Sequence, residues 1–391
     1  MWVFVAVSAL LVYSGLALYA GFGVLEALRL FAPGLSAFAF LPPFVALCYS
    51  FILVYLLRLD RVKILRRAAP YSFPLAIYFC MSLFALDASF WALGLFARLP
   101  VELRPELFSA ARAAAALCLT LATIAGGNFH ARKIKTVRYA IKIGKPAGRS
   151  LRIALIADLH IDEDTDRLRL AQMVDAVNSA APDIICIAGD IFDEDMAKFP
   201  GKEEKAREFR RFSAPLGVYA VGGNHDVDTH RFKGEAPTAL IKNFLENAGI
   251  VFLQDEAHLV AGSFYLVGRR DASPIGGGRA GAGARKTAAE LAAGLDKSLP
   301  VIFMDHQPAD FKKTEEAGAD LILCGHTHGG QFFPGNIITA CLFRRGGAVN
   351  YGYWKGQSAQ GIVTSGIGVW GPLFRTGSNS EVAVIDLQFN A

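Results

Sequence analysis

The sequence predicts an α/β domain that follows an all-α membrane domain of four transmembrane helices. Long apolar stretches fill the N-terminal third, and from Leu151 onward short apolar runs alternate with amphipathic stretches. Polar clusters rich in Asp and His follow several of these later runs. We therefore divide the chain into a four-helix transmembrane domain over residues 1–128, a basic juxtamembrane linker over residues 129–150 and an α/β domain over residues 151–391.

The membrane domain is predicted from composition and segment length. The chain is 53% hydrophobic and only 19% charged, and the apolar excess lies in the N-terminal third. Four apolar stretches are each close to the ~20 residues that a helix needs to cross a hydrocarbon core. The first lacks a basic start and is longer than the apolar core of a signal peptide, so we interpret it as a retained span. The stretches are Trp2–Val24, Leu35–Leu57, Tyr71–Leu95 and Leu107–Gly126.

The distribution of Lys and Arg predicts the orientation. Arg58–Arg67 carries five of them and Arg132–Arg152 carries eight, whereas the loops near Arg29 and Arg98–Arg104 carry one and two. We therefore predict a multi-pass protein of the cell (inner) membrane. The positive-inside rule predicts that its N-terminus and its α/β domain lie in the cytoplasm. The net charge of +5 thus marks membrane flanks, and no nucleic-acid partner is expected.

Two ionisable residues interrupt the predicted spans. Asp87 lies in the third span and Arg112 in the fourth. The favoured interpretation is an interhelical ion pair, or snorkelling of Arg112 toward the nearby end of its helix. The alternative is a polar path of a transporter that carries a regulatory domain.

From Leu151 onward, strand-like and helix-like segments alternate. Asp166–Ala180, for example, spaces Leu168, Val174 and Val177 as one face of a helix. Such alternation predicts an α/β layer structure. The predicted helices are Asp166–Ala180, Lys202–Phe212 and Ala239–Asn247. The predicted strands are Ile153–Ala157, Asp183–Ala188, Val218–Val221, Val251–Leu253, Phe264–Val267, Val301–Met304, Leu321–Leu323, Gly361–Thr364 and Glu381–Leu387.

Five polar clusters follow predicted strands. In open α/β sheets, ligands bind beyond the carboxyl ends of the strands, so we expect these clusters to share one crevice. A single cluster is weak evidence, because a lone His is more often a core residue, but the ordered set is specific. The clusters are Asp158-Leu159-His160, Gly189-Asp190-Ile191-Phe192-Asp193, Gly223-Asn224-His225-Asp226, Asp305-His306 and Gly325-His326-Thr327-His328.

The residue types in these clusters predict a metal site. Asp, Asn and His without Cys suit divalent metals that take nitrogen and oxygen ligands. The candidate ligands suffice for two metals if one carboxylate bridges them, and such a pair can hold a phosphoryl group and acidify a shared water. The candidate ligands are Asp158, His160, Asp190, Asn224, His306, His326 and His328.

The ordered set resembles the calcineurin-like metallophosphoesterase superfamily over about Leu151–Leu387. The resemblance implies a four-layer α/β/β/α sandwich and two divalent ions, drawn from Mn, Fe, Zn and Mg, with Asp190 bridging them. It implies His225 as the catalytic acid, oriented by Asp193 or, as the less favoured choice, by Asp226. The implied ligands are Asp158, His160, Asp190 and His328 for the first ion, and Asp190, Asn224, His306 and His326 for the second.

Further motifs resemble a subgroup, the transmembrane proteins with a metallophosphoesterase domain. These motifs are His306-Gln307-Pro308, Gly325–Gln331 and Thr364–Gly368 followed by Pro372 and Arg375. The subgroup includes bacterial membrane-associated phosphodiesterases, some of which act on UDP-2,3-diacylglucosamine in lipid A biosynthesis. The resemblance therefore implies hydrolysis of a phosphodiester or diphosphate bond, and a lipid-linked or nucleotide-lipid molecule is one candidate substrate.

Other functions stay open at this point. The alternatives are a phosphomonoesterase or protein phosphatase, and a non-catalytic membrane scaffold with a metal-stabilised domain. Arg375 is interpreted either as a phosphate contact or as a structural arginine.

Overall fold

The computed structural model describes residues 2–96, 105–193, 199, 201–226, 236–271, 285–345 and 349–390. The chain divides into two compact units, Met1–Phe129 and His130–Ala391.

The first unit is helical and strongly apolar. Three segments are long and apolar enough to cross a membrane: Val7–Leu28, Lys63–Leu93 and Leu107–Arg132. The helices are α1 (Trp2–Leu28), α2 (Ala37–Cys48), α3 (Ser50–Leu56), α4 (Lys63–Ala68), α5 (Ser72–Phe96) and α6 (Pro105–Arg132), with single 3₁₀ turns at Leu59–Arg61 and Ala69–Tyr71. The loop expected around Arg98–Arg104 lies outside the described residues.

The second predicted span differs from a straight helix. Helices α2 and α3 meet at Tyr49 with a bend of 75°, so residues 37–56 form either one broken span or a re-entrant pair. Pro42 and Pro43 lie inside α2, where each removes a backbone donor and weakens the helix.

The ion pair expected between Asp87 and Arg112 is confirmed, and it has a third member. Arg112 Nη1 lies 2.8 Å from Asp87 Oδ1, and Arg112 Nη2 lies 3.1 Å from Glu26 Oε2. Tyr19 also donates a hydrogen bond of 2.6 Å to Asp87. The network links α1, α5 and α6 within the first unit.

The second unit contains two mixed six-stranded sheets. The first sheet has the order β1-β12-β2-β3-β4-β5 and the second has the order β10-β11-β9-β8-β7-β6. The strands of the first sheet are β1 (Ile134–Pro146), β2 (Leu151–Ile156), β3 (Ile184–Ala188), β4 (Val218–Val221), β5 (Ile250–Phe252) and β12 (Ser380–Asn390). Those of the second sheet are β6 (Glu256–Val260), β7 (Phe264–Gly268), β8 (Val301–Met304), β9 (Leu321–Cys324), β10 (Gly352–Lys355) and β11 (Gln360–Val363).

Alternate side chains of each buried strand enter different apolar clusters. In β2, Ile153 and Leu155 pack with residues of the second sheet, whereas Ala154 and Ile156 pack with residues of the helices. This follows from the period of two along a strand. The helices are α7 (Arg167–Asn178), α8 (Lys202–Phe209), α9 (Ala236–Asn247), α10 (Ala288–Ala292), α11 (Phe311–Glu316) and α12 (Gly335–Arg345).

The structure differs from the sequence expectation at the segment 129–150. Most of this expected linker is strand β1, which pairs in parallel with β12 at the edge of the first sheet. Its exposed face carries Arg138 and Lys142, while Ile141 and Ile143 are buried. The second unit therefore begins at His130, directly in the last turn of α6.

Candidate metal centre

The five polar clusters lie at the carboxyl ends of five strands. Strands β2, β3 and β4 run parallel in the first sheet, and β8 and β9 run parallel in the second. Because parallel strands end at the same edge, the loops that follow them meet in one crevice. Both sheets contribute side chains to it.

The backbone of these loops is strained at the candidate ligands. Nine described non-glycine residues have positive φ, and five of them belong to this centre. Such conformations persist only where the surrounding structure fixes them, and they concentrate at functional sites. The five are Asp158, His160, Asp190, His326 and His328.

Two glycines permit the loops to approach each other. A Cβ on Gly325 would lie 2.3 Å from the Cβ of Ala157, and one on Gly223 would lie 2.2 Å from Asp190 Oδ1. Both distances are far below van der Waals contact, so a larger residue at either position would separate the loops.

One group of donor atoms is formed by Asp158, His160 and His328. The Nε2 atoms of His160 and His328 lie 3.0 Å apart, and His328 Nε2 lies 3.7 Å from Asp158 Oδ1. All three residues are buried or nearly so.

The second group is formed by Asp190, Asn224, His306 and His326. His306 Nε2 lies 3.2 Å from Asp190 Oδ2, 3.0 Å from Asn224 Oδ1 and 3.2 Å from His326 Nδ1. Asp190 Oδ2 is also 3.9 Å from His160 Nε2, so this carboxylate lies between the two groups.

These spacings fit cations held between the side chains. Two ligand atoms at about 2.1 Å from one ion and at right angles to each other lie about 3.0 Å apart. His306 Nδ1 lies 2.8 Å from the carbonyl oxygen of Ala188, which can only accept, so Nδ1 carries a proton. In the neutral ring Nε2 then presents a lone pair to the oxygens of Asp190 and Asn224. Acceptors that converge in this way require either a proton or a metal ion between them.

A carboxylate fixes the ring of His160 in a similar way. His160 Nδ1 donates to Asp193 Oδ1 at 2.8 Å, which leaves Nε2 directed at His328 and Asp190. Carboxylates and carbonyls that hold the outer nitrogen of a ligating histidine are the usual second layer of metal sites.

The same carboxylate lies beside His225. His225 Nδ1 is 2.7 Å from Asp193 Oδ1, and its Nε2 is 4.0 Å from Asp190 Oδ2, so the outer nitrogen faces the donor groups. Asp226 is occupied elsewhere, since it accepts hydrogen bonds from the backbone amides of Gly223, Ile191 and Phe192. The geometry favours Asp193 over Asp226 as the partner of His225.

Burial and charge shift the protonation of the centre. Burial raises the pKa of Asp158 to about 6, with the imidazole of His306 opposing it. Burial lowers the pKa of His160, but Asp193, Asp190 and Asp158 outweigh this effect and raise it to about 9. Burial also raises the pKa of Asp193, but His160 and His225 hold it well below its usual range. The centre thus attracts positive charge, which a proton or a metal ion can supply.

Arg375 supports the centre from behind. It is fully buried, and its guanidinium donates to the carbonyl oxygens of His328 (3.1 Å), Ser365 (2.7 Å) and Gly368 (2.7 Å). Such complete burial does not fit a phosphate contact and favours the structural interpretation. The late motif Thr364–Gly368 is thereby tied to the loop of His328, a link that the sequence did not specify.

The structure thus brings all nine sequence-predicted residues into one crevice. Seven contribute atoms to the two donor groups, His225 forms a further group with His160 and Asp190, and Asp193 flanks the rings of His160 and His225. The seven are Asp158, His160, Asp190, Asn224, His306, His326 and His328.

Comparisons with known proteins agree with this geometry. The profile of the family described as calcineurin-like phosphoesterase matches residues 151–330. An uncharacterized metallophosphoesterase of Campylobacter jejuni is 27% identical over 240 residues, which are 61% of this chain and 60% of the relative. One from Helicobacter pylori is 29% identical over 253 residues, with 61% and 60% covered. The chain thus spans less than two thirds of the length of these relatives.

The similarity to one further relative also includes part of the first unit. A transmembrane protein with metallophosphoesterase domain from Bos taurus is 26% identical over 342 residues, covering 82% of this chain and 74% of the relative.

Proposed function

Because residues 151–330 belong to the calcineurin-like phosphoesterase family, we propose that the chain is a metal-dependent hydrolase of phosphoric ester or diphosphate bonds. One observation carries the proposal: donor atoms from five strand ends converge in two groups that share the Asp190 carboxylate. A merely structural site would not need the flanking His225–Asp193 pair, whose outer nitrogen faces the donor groups.

The residues divide into two cation-binding sets. Asp158, His160, Asp190 and His328 would hold one divalent ion, and Asp190, Asn224, His306 and His326 would hold the other. When bound, such a pair neutralises phosphoryl oxygens and lowers the pKa of a water molecule. Three carboxylate and amide side chains with four imidazoles suit Mn, Fe, Zn or Mg.

The proton needed by the leaving oxygen comes from the protein. We assign it to His225 Nε2, because that nitrogen faces the donor groups while Nδ1 lies 2.7 Å from Asp193 Oδ1. A carboxylate beside Nδ1 stabilises the imidazolium and fixes the ring, so that the acid is in place when the ester bond breaks. Asp193 is therefore a positioning residue for both His225 and His160.

The rest of the chain supports a proposal for the substrate class. Four membrane spans, counting the bent pair α2–α3 as one, would anchor the enzyme and raise its local concentration toward membrane-borne substrates. We therefore propose a phosphodiester or diphosphate of a lipid-linked molecule, of which UDP-2,3-diacylglucosamine is one example. The basic flanks support our proposal that the catalytic unit lies on the cytoplasmic side of the cell membrane.

The test is metal analysis and a substrate comparison on the purified full chain. We expect cations to co-purify, and bis-p-nitrophenyl phosphate to be cleaved faster than p-nitrophenyl phosphate with Mn²⁺ present. Faster cleavage of the monoester would replace the diesterase by a monoesterase. Bound cations without cleavage of either ester, or of lipid diphosphates, would leave a metal-stabilised scaffold.

A further inference from the structure

An exposed apolar surface lies directly after the metal-centre loop of His328. We call it the α12 face, and it consists of Phe333, Ile337, Ile338, Leu342 and Trp370. Their exposed fractions lie between 41% for Phe333 and 59% for Leu342. Ile338 and Leu342 lie on the same side of α12, since residues four apart share a side of a helix, and Ile337 directly precedes Ile338.

Trp370 joins this face through a pair of hydrogen bonds. Gln331 Nε2 donates to the Trp370 carbonyl oxygen at 2.8 Å, and the Trp370 amide donates to Gln331 Oε1 at 3.0 Å. The backbone of Trp370, a residue that is 51% exposed, is therefore held beside the segment that leads into α12.

Such a concentration of large apolar side chains is unusual for a soluble surface. Elsewhere in the described part of the second unit, exposed Leu168, Val251 and Leu259 stand on three separate elements, and Tyr351 and Tyr353 stand just before and within β10. Scattered apolar residues are ordinary, whereas a contiguous exposed group marks an interaction with protein or membrane.

The α12 face lies near the point where the chain enters the second unit. His130 is the first residue of that unit, and its Nε2 is 3.2 Å from the carbonyl oxygen of Ser378. The neighbouring Gly377 carbonyl accepts from Asn336 Nδ2 at 3.3 Å, in the first turn of α12. His130 and the start of α12 thus contact adjacent residues of one loop.

The residues just before His130 indicate that a membrane is the partner of the α12 face. They belong to Leu107–Arg132, a helix apolar enough to cross a membrane. If that helix spans a bilayer, His130 lies at the bilayer surface, and the start of α12 is held close to it.

The charge of α12 is also consistent with a membrane as its partner. The sequence of α12 contains no acidic residue and ends in two arginines, of which Arg344 is exposed. Apolar side chains with Trp beside them and cations at one end are typical of helices that lie in a membrane interface. A second copy of the chain would instead bring like charges together.

We propose that the α12 face inserts into the boundary between the headgroups and acyl chains of a bilayer that contains anionic phospholipid. This rests on the membrane anchoring proposed above, and it does not depend on catalysis. Because α12 follows the loop of His328, the docked helix holds the metal centre at the lipid surface. A phosphate borne by a lipid headgroup would then reach the centre without leaving the bilayer.

A fluorescent label on α12 tests the proposal in the full chain. Of the six cysteines, Cys118 and Cys341 are exposed, and Cys341 lies on α12 beside Leu342. In the Cys118→Ser variant, bimane on Cys341 is measured in vesicles of phosphatidylcholine and phosphatidylglycerol, with or without lipid brominated high in the acyl chain. The matched control carries Leu168→Cys with Cys118→Ser and Cys341→Ser, because Leu168 is a lone leucine that is 81% exposed.

We expect brominated lipid to quench the label on Cys341 several-fold more strongly than the label at the control position. Equal, weak quenching at both positions in chains that float with the vesicles would overturn the docking while leaving the anchoring intact. Chains that do not float would remove the anchoring and the docking together. Disulfide cross-linking of Cys341 between copies in detergent would assign the face to a second copy and also contradict the proposal.

A second variant keeps the test independent of the label. Ile338→Glu with Leu342→Glu alters only exposed positions, so the thermal unfolding temperature should not change. Hydrolysis of a soluble diester should persist while hydrolysis of a vesicle-borne ester falls several-fold. An equal fall for both esters would indicate damage to the metal centre and count against docking.

Discussion

The two halves of the metal centre are held by opposite means. The loops of the first sheet carry Asp158 and Asp190. In these loops the carboxylate of Asp193 accepts from the ring of His160, and that of Asp226 accepts from backbone amides. The loops of the second sheet contribute only imidazoles to the donor groups. The ring of His306 is held by the backbone carbonyl of Ala188, and the guanidinium of Arg375 lies behind His328, 3.4 Å from its Nδ1.

This difference means that one half of the centre supplies its negative charge, whereas the other half supplies neutral ligands in fixed positions. Negative charge, which cations need, comes from the first-sheet half, where several carboxylates are buried together. Imidazoles add donor atoms without adding charge, so the second-sheet half can complete the coordination at little electrostatic cost. Changes in the first-sheet half should therefore alter cation binding most. Changes behind the second-sheet half should instead shift a coordinating imidazole while the cations still bind.

Asp190→Asn is the strongest test of this division. The substitution removes the one carboxylate that lies between both donor groups. We expect most of the bound cation to be lost and turnover to fall on the order of 10³-fold, equal to several kcal/mol of transition-state stabilisation. Cation content is read by inductively coupled plasma mass spectrometry, with Asp175→Asn on the exposed face of α7 as the control. Full cation content in Asp190→Asn would refute the bridging position.

His225→Ala should separate proton donation from cation binding within the first-sheet half. Removal of a general acid lowers turnover by about 10²–10⁴-fold, and the cation content should stay unchanged. The loss should be greatest for esters with an alkyl leaving group and smallest for p-nitrophenyl esters, whose leaving oxygen needs little protonation. His258→Ala, at an exposed position of β6, is the control. A loss that is the same for all leaving groups would mean that His225 only positions the substrate.

Asp193→Asn should affect cation binding and proton donation at once, because one carboxylate contacts the rings of His160 and His225. Loss of such a partner typically lowers cation affinity by about 10–100-fold. The pH dependence provides a second readout. A cation must displace the proton of His160, whose pKa is raised from 6.5 to about 9, so affinity in the parent protein should rise with pH across that interval.

In the variant the main raising charge is gone, and the rise in affinity should end at a lower pH. Titration calorimetry with Mn²⁺ at a series of pH values measures both effects. An unchanged pH profile would show that Asp193 does not control the protonation of His160.

The strand-end clusters could be predicted because their chemistry is local. Each motif directly follows an apolar run, and the rule that parallel strands end at one edge brings the motifs together without further information. The supports could not be predicted in the same way. Asp226 directly follows His225 in the sequence, whereas Asp193 belongs to an earlier cluster, and only the fold shows that Asp226 is committed to backbone amides.

Strand β1 was missed although a signal for it was present. Its basic residues suggested a linker, but Val137, Tyr139, Ile141 and Ile143 alternate with exposed positions at the period of a strand. An edge strand can carry Lys and Arg on its open face, which protects it from pairing with other chains. Helix α12 differs, because its apolar face is exposed, and no core pattern could have revealed it.

The smallest effect is expected from Arg375→Lys, which tests the geometric half alone. The guanidinium reaches four acceptors, namely the carbonyl oxygens of His328, Ser365 and Gly368 and the hydroxyl of Ser378. A lysine has a single charged point and cannot span them, and each buried carbonyl left unpaired costs about 1–3 kcal/mol. We expect a lower unfolding temperature and roughly tenfold slower turnover with cation content retained, because the ligands remain while His328 shifts. Arg207→Lys, at a side chain that is 71% exposed, is the control. If Arg375→Lys instead released the cations as Asp190→Asn should, the second-sheet half would govern binding as well, and the division between charge and geometry would fail.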